Sequence, residues 1–293
     1  MKSISWTWIV AVSWSCLGYN DSAQAQPTPA NLQARRELNA RQVDQQRGGG
    51  TPNWNTDGPF KKDVFTFVRI KYSVNGRHGY GHNPPFRWSI DFPDSDLNFS
   101  FRLQQVTSLR VDPEGKILEL TDKELFDYPF IYIVEPGRLT FTPEEAEILK
   151  RYLLNGGFLM CDDFWGDREW NAFEQELKMV FPDRQWIDLP LTHPIFNCVF
   201  TLKEKPQVPG IDWGIRSEFT GITYEQNHGP GCEEPHYRAI LDDKQRIMVI
   251  LCHNTDLGDG WEREGDDPYY FSEFSEPKAY PMGINIVFYL MTH

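Results

Sequence analysis

The chain has 293 residues, 40% of them hydrophobic and 24% charged, which is ordinary for a globular protein and enough for one large domain or two small ones. Its formal net charge of −13 comes without any Lys/Arg-rich run, so a phosphate backbone or an anionic membrane surface would be repelled. No nucleic-acid partner is expected.

Lys2 precedes an apolar stretch from Trp6 to Leu17, and Ala23-Gln24-Ala25 supplies small residues where a signal peptidase needs them. This reads as an export signal over residues 1–25, cut after Ala25, that sends the protein to the periplasm or out of the cell. The stretch is shorter than the ~20 residues needed to span a bilayer, so no retained membrane span is expected. Trp14 and Ser15 do not suit a lipoprotein signal ahead of Cys16. Residues 26–60 are rich in Gln, Arg, Asn, Gly and Pro and read as a flexible leader or linker, with a short helical possibility around Leu32 to Val43.

A single α/β domain is expected over residues 61–293. It opens with "DVFTFVRIKY" (Asp63 to Tyr72), apolar at nearly every position as a central strand would be. A helix around Asn98 to Gln105 follows, capped by Asp96, then a short strand near Ser108 to Val111 and a clear one at Phe130 to Val134. Thr142-Pro143-Glu144-Glu145 offers a capping hydroxyl, a first-turn proline and a Glu three residues on, with Ile148, Leu149, Tyr152 and Leu153 as the buried stripe and Gly156 as the stop. Phe158 to Cys161 reads as a strand and Arg168 to Val180 as a helix with Phe173, Leu177 and Val180 on one face. A hairpin turns around Asp242-Asp243, its second strand running from Ile247 to Cys252, and "KAYPMGINIVFYLMTH" is a terminal helix. Strands alternating with helices of about 10 to 15 residues indicate a mostly parallel, doubly wound sheet with helices on both faces.

In such a sheet ligands bind outside the carboxyl ends of the strands. Three predicted strands end in polar residues: Glu135; Asp162 and Asp163; and His253, Asn254 and Asp256, with Trp261 just beyond. His193 follows a possible fourth strand, and Arg87, Trp88 and Asp91 follow the first, from the same edge. These are the candidate ligand-binding residues, and no catalytic residue can be named. Neighbouring strand residues point to opposite faces, so Asp163 is expected to share a cleft with Glu135 and the His253–Asp256 loop while Asp162 bonds local backbone. Asp167 and Asp259 read as turn or cap residues. Cys161, Cys198, Cys232 and Cys252 include no CxxC pair, and Cys161 and Cys252 sit in apolar runs as buried thiols would. "DDFWGD" lacks the alternating spacing of a calcium loop, so neither a metal nor another cofactor is expected.

The runs "FTFVRIKY", "RW" with "DFPDSDLNF", "YPFIYIVEPG", "LKRYLLNGGFLMCDDFWG", "THPIF", "HNTDLGDGWE" and "MGINIVFYLMTH", in that order, resemble the family known as domain of unknown function 4159 over about Val64 to His293. The resemblance implies a bacterial, often exported or membrane-linked protein, a fold similar to class I glutamine amidotransferases, and no established activity. Those enzymes place a cysteine on a strand-to-helix elbow that needs small residues two positions to either side. Around Cys161 these are Leu159 and Asp163, and around Asp163 they are Cys161 and Trp165, so neither centre suits. Two functions remain. The favoured one is a noncatalytic module that holds an envelope protein, peptide or glycan at the strand-end edge. The other is hydrolysis of a glycan or cell-wall fragment by carboxylates such as Glu135, Asp163 or Asp256.

Overall fold

The computed structural model describes residues 38–56, 63–74 and 87–293. The expected export signal, its cleavage site and the expected leader-to-domain boundary at residue 60 lie outside the described residues. Seven strands form one sheet: β1 (Val68–Ile70), β2 (Lys116–Leu118), β3 (Phe130–Val134), β4 (Phe158–Phe164), β5 (Ile187–Asp188), β6 (His236–Leu241) and β7 (Ile247–His253). Their order is β2-β1-β3-β4-β7-β6-β5. The first five positions pair in parallel, and β6 and β5 extend one edge antiparallel.

Both faces of the sheet are covered, which is why β3, β4 and β7 are apolar almost throughout. Phe130, Tyr132 and Val134 of β3 point to one core, shared with Phe99 of α2 (Asp94–Val106), Trp261 of α6 (Leu257–Glu262) and Ile284 of α7 (Tyr280–Thr292). Ile131 and Ile133 point to the other, against Leu149 of α3 (Pro143–Leu154) and Phe173 of α4 (Gly166–Val180). The start of α3 follows its sequence: Thr142 Oγ1 accepts the Glu145 N–H at 3.2 Å, and the Glu145 carboxylate accepts the Thr142 N–H at 2.7 Å. Cys161 and Cys252 are buried, and all four described cysteines are free thiols. Among the described residues, no helix is long and apolar enough to cross a membrane.

Several elements depart from the sequence expectation. Helix α2 begins at Asp94, and its N-cap is Pro93 with no side-chain bond; Asp96 is not a cap but the buried counter-charge of Arg69. A guanidinium placed inside a β strand has a stronger claim on that carboxylate than a helix end has. The strand expected near Ser108 to Val111 shrinks to one bridge between Phe65 and Val111, and the pairing resumes as β2 after Gly115, whose φ of 62° makes the turn. Residues 38–56, part of the expected leader, pack onto the domain. Ala40 and Val43 of α1 (Ala40–Gln46) meet Phe92 and Leu97, and Trp54 Nε1 donates to Val111 O at 2.7 Å. The possible strand before His193 is the two-residue β5, and helix α5 (Ile211–Thr220) has no counterpart in the sequence reading. The terminal helix is preceded by a helical turn at Pro268–Tyr270 and a π-helical segment Phe271–Ala279 that contains Pro277.

Candidate ligand site at the carboxyl edge

The chain passes from β1 to β2 on one side and then to β3 on the other, so the strand order reverses beside β1, where crevices open at the carboxyl ends of such sheets. Arg69 of β1 holds the segment that follows. Its Nη1 donates to Trp88 O at 3.0 Å and Ile90 O at 2.9 Å, and its Nη2 to Ser95 Oγ at 2.9 Å. Arg87 is thereby brought to Glu135, with which it forms an ion pair.

Five described non-glycine residues have positive φ: Asp91 (62°), Glu135 (48°), Asp163 (57°), Gln245 (68°) and Asn254 (60°). All but Gln245, which sits in the β6–β7 turn, belong to this edge. Left-handed backbone costs roughly 1 kcal/mol or more per non-glycine residue and persists where surrounding structure enforces it. Here cross-strand bonds enforce it. Glu135 N–H donates to Asp162 O at 3.0 Å, Asp163 N–H to Thr255 O at 3.2 Å and Asn254 N–H to Phe164 O at 2.9 Å, so each strand end is tied to its neighbour.

Two groups of ionisable side chains converge there. In the first, Asp163 accepts a bond from Trp165 Nε1 at 3.0 Å, and burial together with Glu135, Glu225 and Asp162 pushes its pKa well above the carboxylate range. Burial lifts Glu135 to about 7 in spite of Arg87. Glu169, one turn into α4, accepts the Trp165 N–H at 3.0 Å and lies 3.5 Å from His228 Nδ1, while His228 Nε2 is 3.1 Å from Glu225. Burial pulls the His228 pKa down, but its bonds to Glu169 and Glu225 raise it to about 9, so this imidazole is cationic at neutral pH.

In the second group, Asp162 is fully buried. Its Oδ2 accepts the Gly258 N–H at 2.8 Å and the Tyr132 hydroxyl at 3.2 Å, its Oδ1 has no partner, and burial raises its pKa to about 7. It therefore bonds backbone as expected, though at the start of α6 rather than locally. Asp256 caps α6 through the Asp259 N–H at 2.7 Å. Asp259 receives the Ile211 N–H at 2.5 Å, so its capping role falls on the distant helix α5. Asp91 and Glu262 lie beside it, both raised by burial and by neighbouring carboxylates.

The other sequence candidates are placed differently. Asn254 is at the edge but spoken for: its Oδ1 accepts the Gly166 N–H at 2.8 Å, and its Nδ2 donates to Gly231 O and Glu234 O, each at 2.7 Å. His253 packs against Phe164 and Trp170, with Nδ1 accepting from Arg238 at 2.8 Å and Nε2 donating to Gly166 O at 3.2 Å. Burial and Arg238 lower its pKa to about 3, so it is neutral. Trp88 and Trp261 are core residues, the Trp261 ring centroid lying 4.4 Å from that of Phe99. His193 is elsewhere: its ring lies 5.4 Å from Tyr289, which with Gly156 and Arg246 lines a cleft at the amino ends of β4 and β7. The chain turns back after β5 and carries His193 away from the edge. Glu169, Glu225 and His228 went unrecognised; the three-residue spacing of Glu225 and His228 was their only local signal. Gly166 makes room for the His228 loop, because a Cβ on it would come 2.9 Å from Pro230 O at a φ of 69°.

Near the carboxyl end of β4, where its register shifts between Cys161 and Phe164, the left-handed position is taken by Asp163, not a thiol. Cys161 is inside the strand, fully buried, and burial pushes its thiol pKa well up, so no thiolate is on offer. The model of a family described as "Domain of unknown function (DUF4159)" matches residues 66–291, which take in all seven strands from β1 onward and most of α7. No curated protein matches the sequence.

Proposed function

The chain belongs to the family described as domain of unknown function DUF4159, and from that premise we propose that it is a noncatalytic binding module of the cell envelope on an amidotransferase-like α/β fold. Its ligand lies at the carboxyl edge of the sheet, against Arg87, Glu135, Asp163 and His228. The observation that carries the reading is Asp163. It is held left-handed near the carboxyl end of β4, beside Glu135, and its carboxylate receives a single hydrogen bond among the described residues. An amine or amide N–H of a peptide, an amino-bearing glycan or an envelope protein would supply the donors that Asp163 and Glu135 lack. Arg87, whose Nε is buried without a hydrogen-bond partner, would hold its carboxylate or carbonyl oxygens. The export signal supports the envelope location. The test is capture of envelope peptides and cell-wall fragments by wild type and Asp163→Asn, with melting temperature measured on the same samples. Lost capture at a nearly unchanged melting temperature is expected; unchanged capture removes Asp163 from the site.

One observation favours hydrolysis as a second reading: Glu135, raised to about 7, carries a proton near neutral pH and could donate it to a leaving group as a general acid. Turnover of cell-wall fragments by wild type that disappears in Glu135→Gln would replace the binding reading. Capture without turnover would retain it.

A further inference from the structure

Beside that site, and independently of it, Asp91, Asp259 and Glu262 each bring a carboxylate oxygen within 4.8 Å of the other two. Asp259 and Glu262 are three residues apart on α6 and so share a face, and Asp91 reaches them from its left-handed turn next to Ile90, the residue that Arg69 anchors. Arg263 is the nearby cation: its Nε lies 3.0 Å from Asp259 Oδ1 and 2.8 Å from Glu262 Oε2. Asp91 has no such partner. It is only 9% exposed, and its Oδ2 is buried without any hydrogen bond. This oxygen points past Gly258, where a Cβ would come within 2.5 Å of it. Native structures rarely leave a buried carboxylate oxygen without a donor, and three carboxylates facing one guanidinium leave negative charge uncompensated.

We propose that Asp91, Asp259 and Glu262 hold a hard divalent cation, Ca²⁺ or Mg²⁺, with water completing its shell. The donors are all carboxylate oxygens, the set preferred by these ions over the nitrogen and sulfur ligands that select zinc or copper. A route from solvent exists, because Glu262 and Arg263 line a cleft of about 510 Å³ together with Asp94, Asn98 and Glu264. A cation there would pin α6 to the turn that carries Asp91, and so brace the edge that presents Asp163.

Calorimetric titration of chelator-treated protein with CaCl₂ or MgCl₂, against NaCl, tests the site. Saturable binding of one ion per chain is expected, weakened roughly tenfold or more in both Asp91→Asn and Glu262→Gln, since affinity follows the number of charged ligands. Should Asp91→Asn not fold, Glu262→Gln at the cleft wall decides by itself. No saturable heat with either salt overturns the proposal, as does wild-type affinity in Glu262→Gln, which would place the ion elsewhere.

Discussion

Truncating the Asp96 carboxylate, as in Asp96→Ala, would strand a guanidinium that has no access to water. Arg69 is 0% exposed, and Asp96 meets it with both oxygens, each 3.1 Å from Nε. The remaining Arg69 bonds, to Trp88 O, Ile90 O and Ser95 Oγ, and its position 5.1 Å from the Tyr132 ring solvate the group without neutralising it. Removing one partner of a buried pair costs about 3–5 kcal/mol. At about 2–4 °C per kcal/mol for a domain of this size, the melting temperature should fall by roughly 6–20 °C. The same guanidinium fixes the turn after Arg87, so the Arg87–Glu135 ion pair should loosen as well. The assay is thermal and urea unfolding of wild type, Asp96→Ala and the double variant Arg69→Met/Asp96→Leu. Removing both charges should recover at least half of the loss, because an apolar pair of similar volume often replaces a buried ion pair at little cost. A loss below about 1 kcal/mol in Asp96→Ala, or a double variant less stable than the single one, would refute the reasoning.

Asp162 carries a pH signature. Its pKa rises on folding from the ordinary 3.8 to about 7, so its share of stability is fully present below pH 3.8 and is lost as pH rises through 7. Melting curves of Asp162→Asn should therefore be flatter than wild type across that window, and an unaltered pH profile would contradict the assignment. Gly166→Ala forces a Cβ to 2.9 Å from Pro230 O at positive φ and should cost about 1–3 kcal/mol, measured by urea unfolding. Amino-terminal sequencing of the exported protein should begin at Gln26; an intact Met1 would refute the export signal.

Much of the frame was written locally. Strand β3 is apolar throughout, β4 up to Asp162 and β7 up to His253, and the Thr142–Glu145 box fixes the start of α3 within four residues. Parallel pairing then sends the ends of those strands to one edge. Glu135, Asp163 and Asp256 could be placed there from sequence, because direction along a buried strand is set by the chain itself. What lies across the chain could not be read this way. A buried arginine took Asp96 from the helix end it was expected to cap, the possible strand before His193 shrank to the two residues of β5, and the turn after it carried His193 to the wrong edge. Left-handed backbone at Asn254 committed that side chain to three backbone partners, while His253 just before it went under Trp170. Glu169 and His228 met only when the Gly166 turn admitted a loop from far along the chain. Periodicity and caps act within a few residues and survive in the sequence; ion pairs, strained turns and the carboxylate trio of Asp91, Asp259 and Glu262 depend on packing between distant segments, and only the folded chain brings them together.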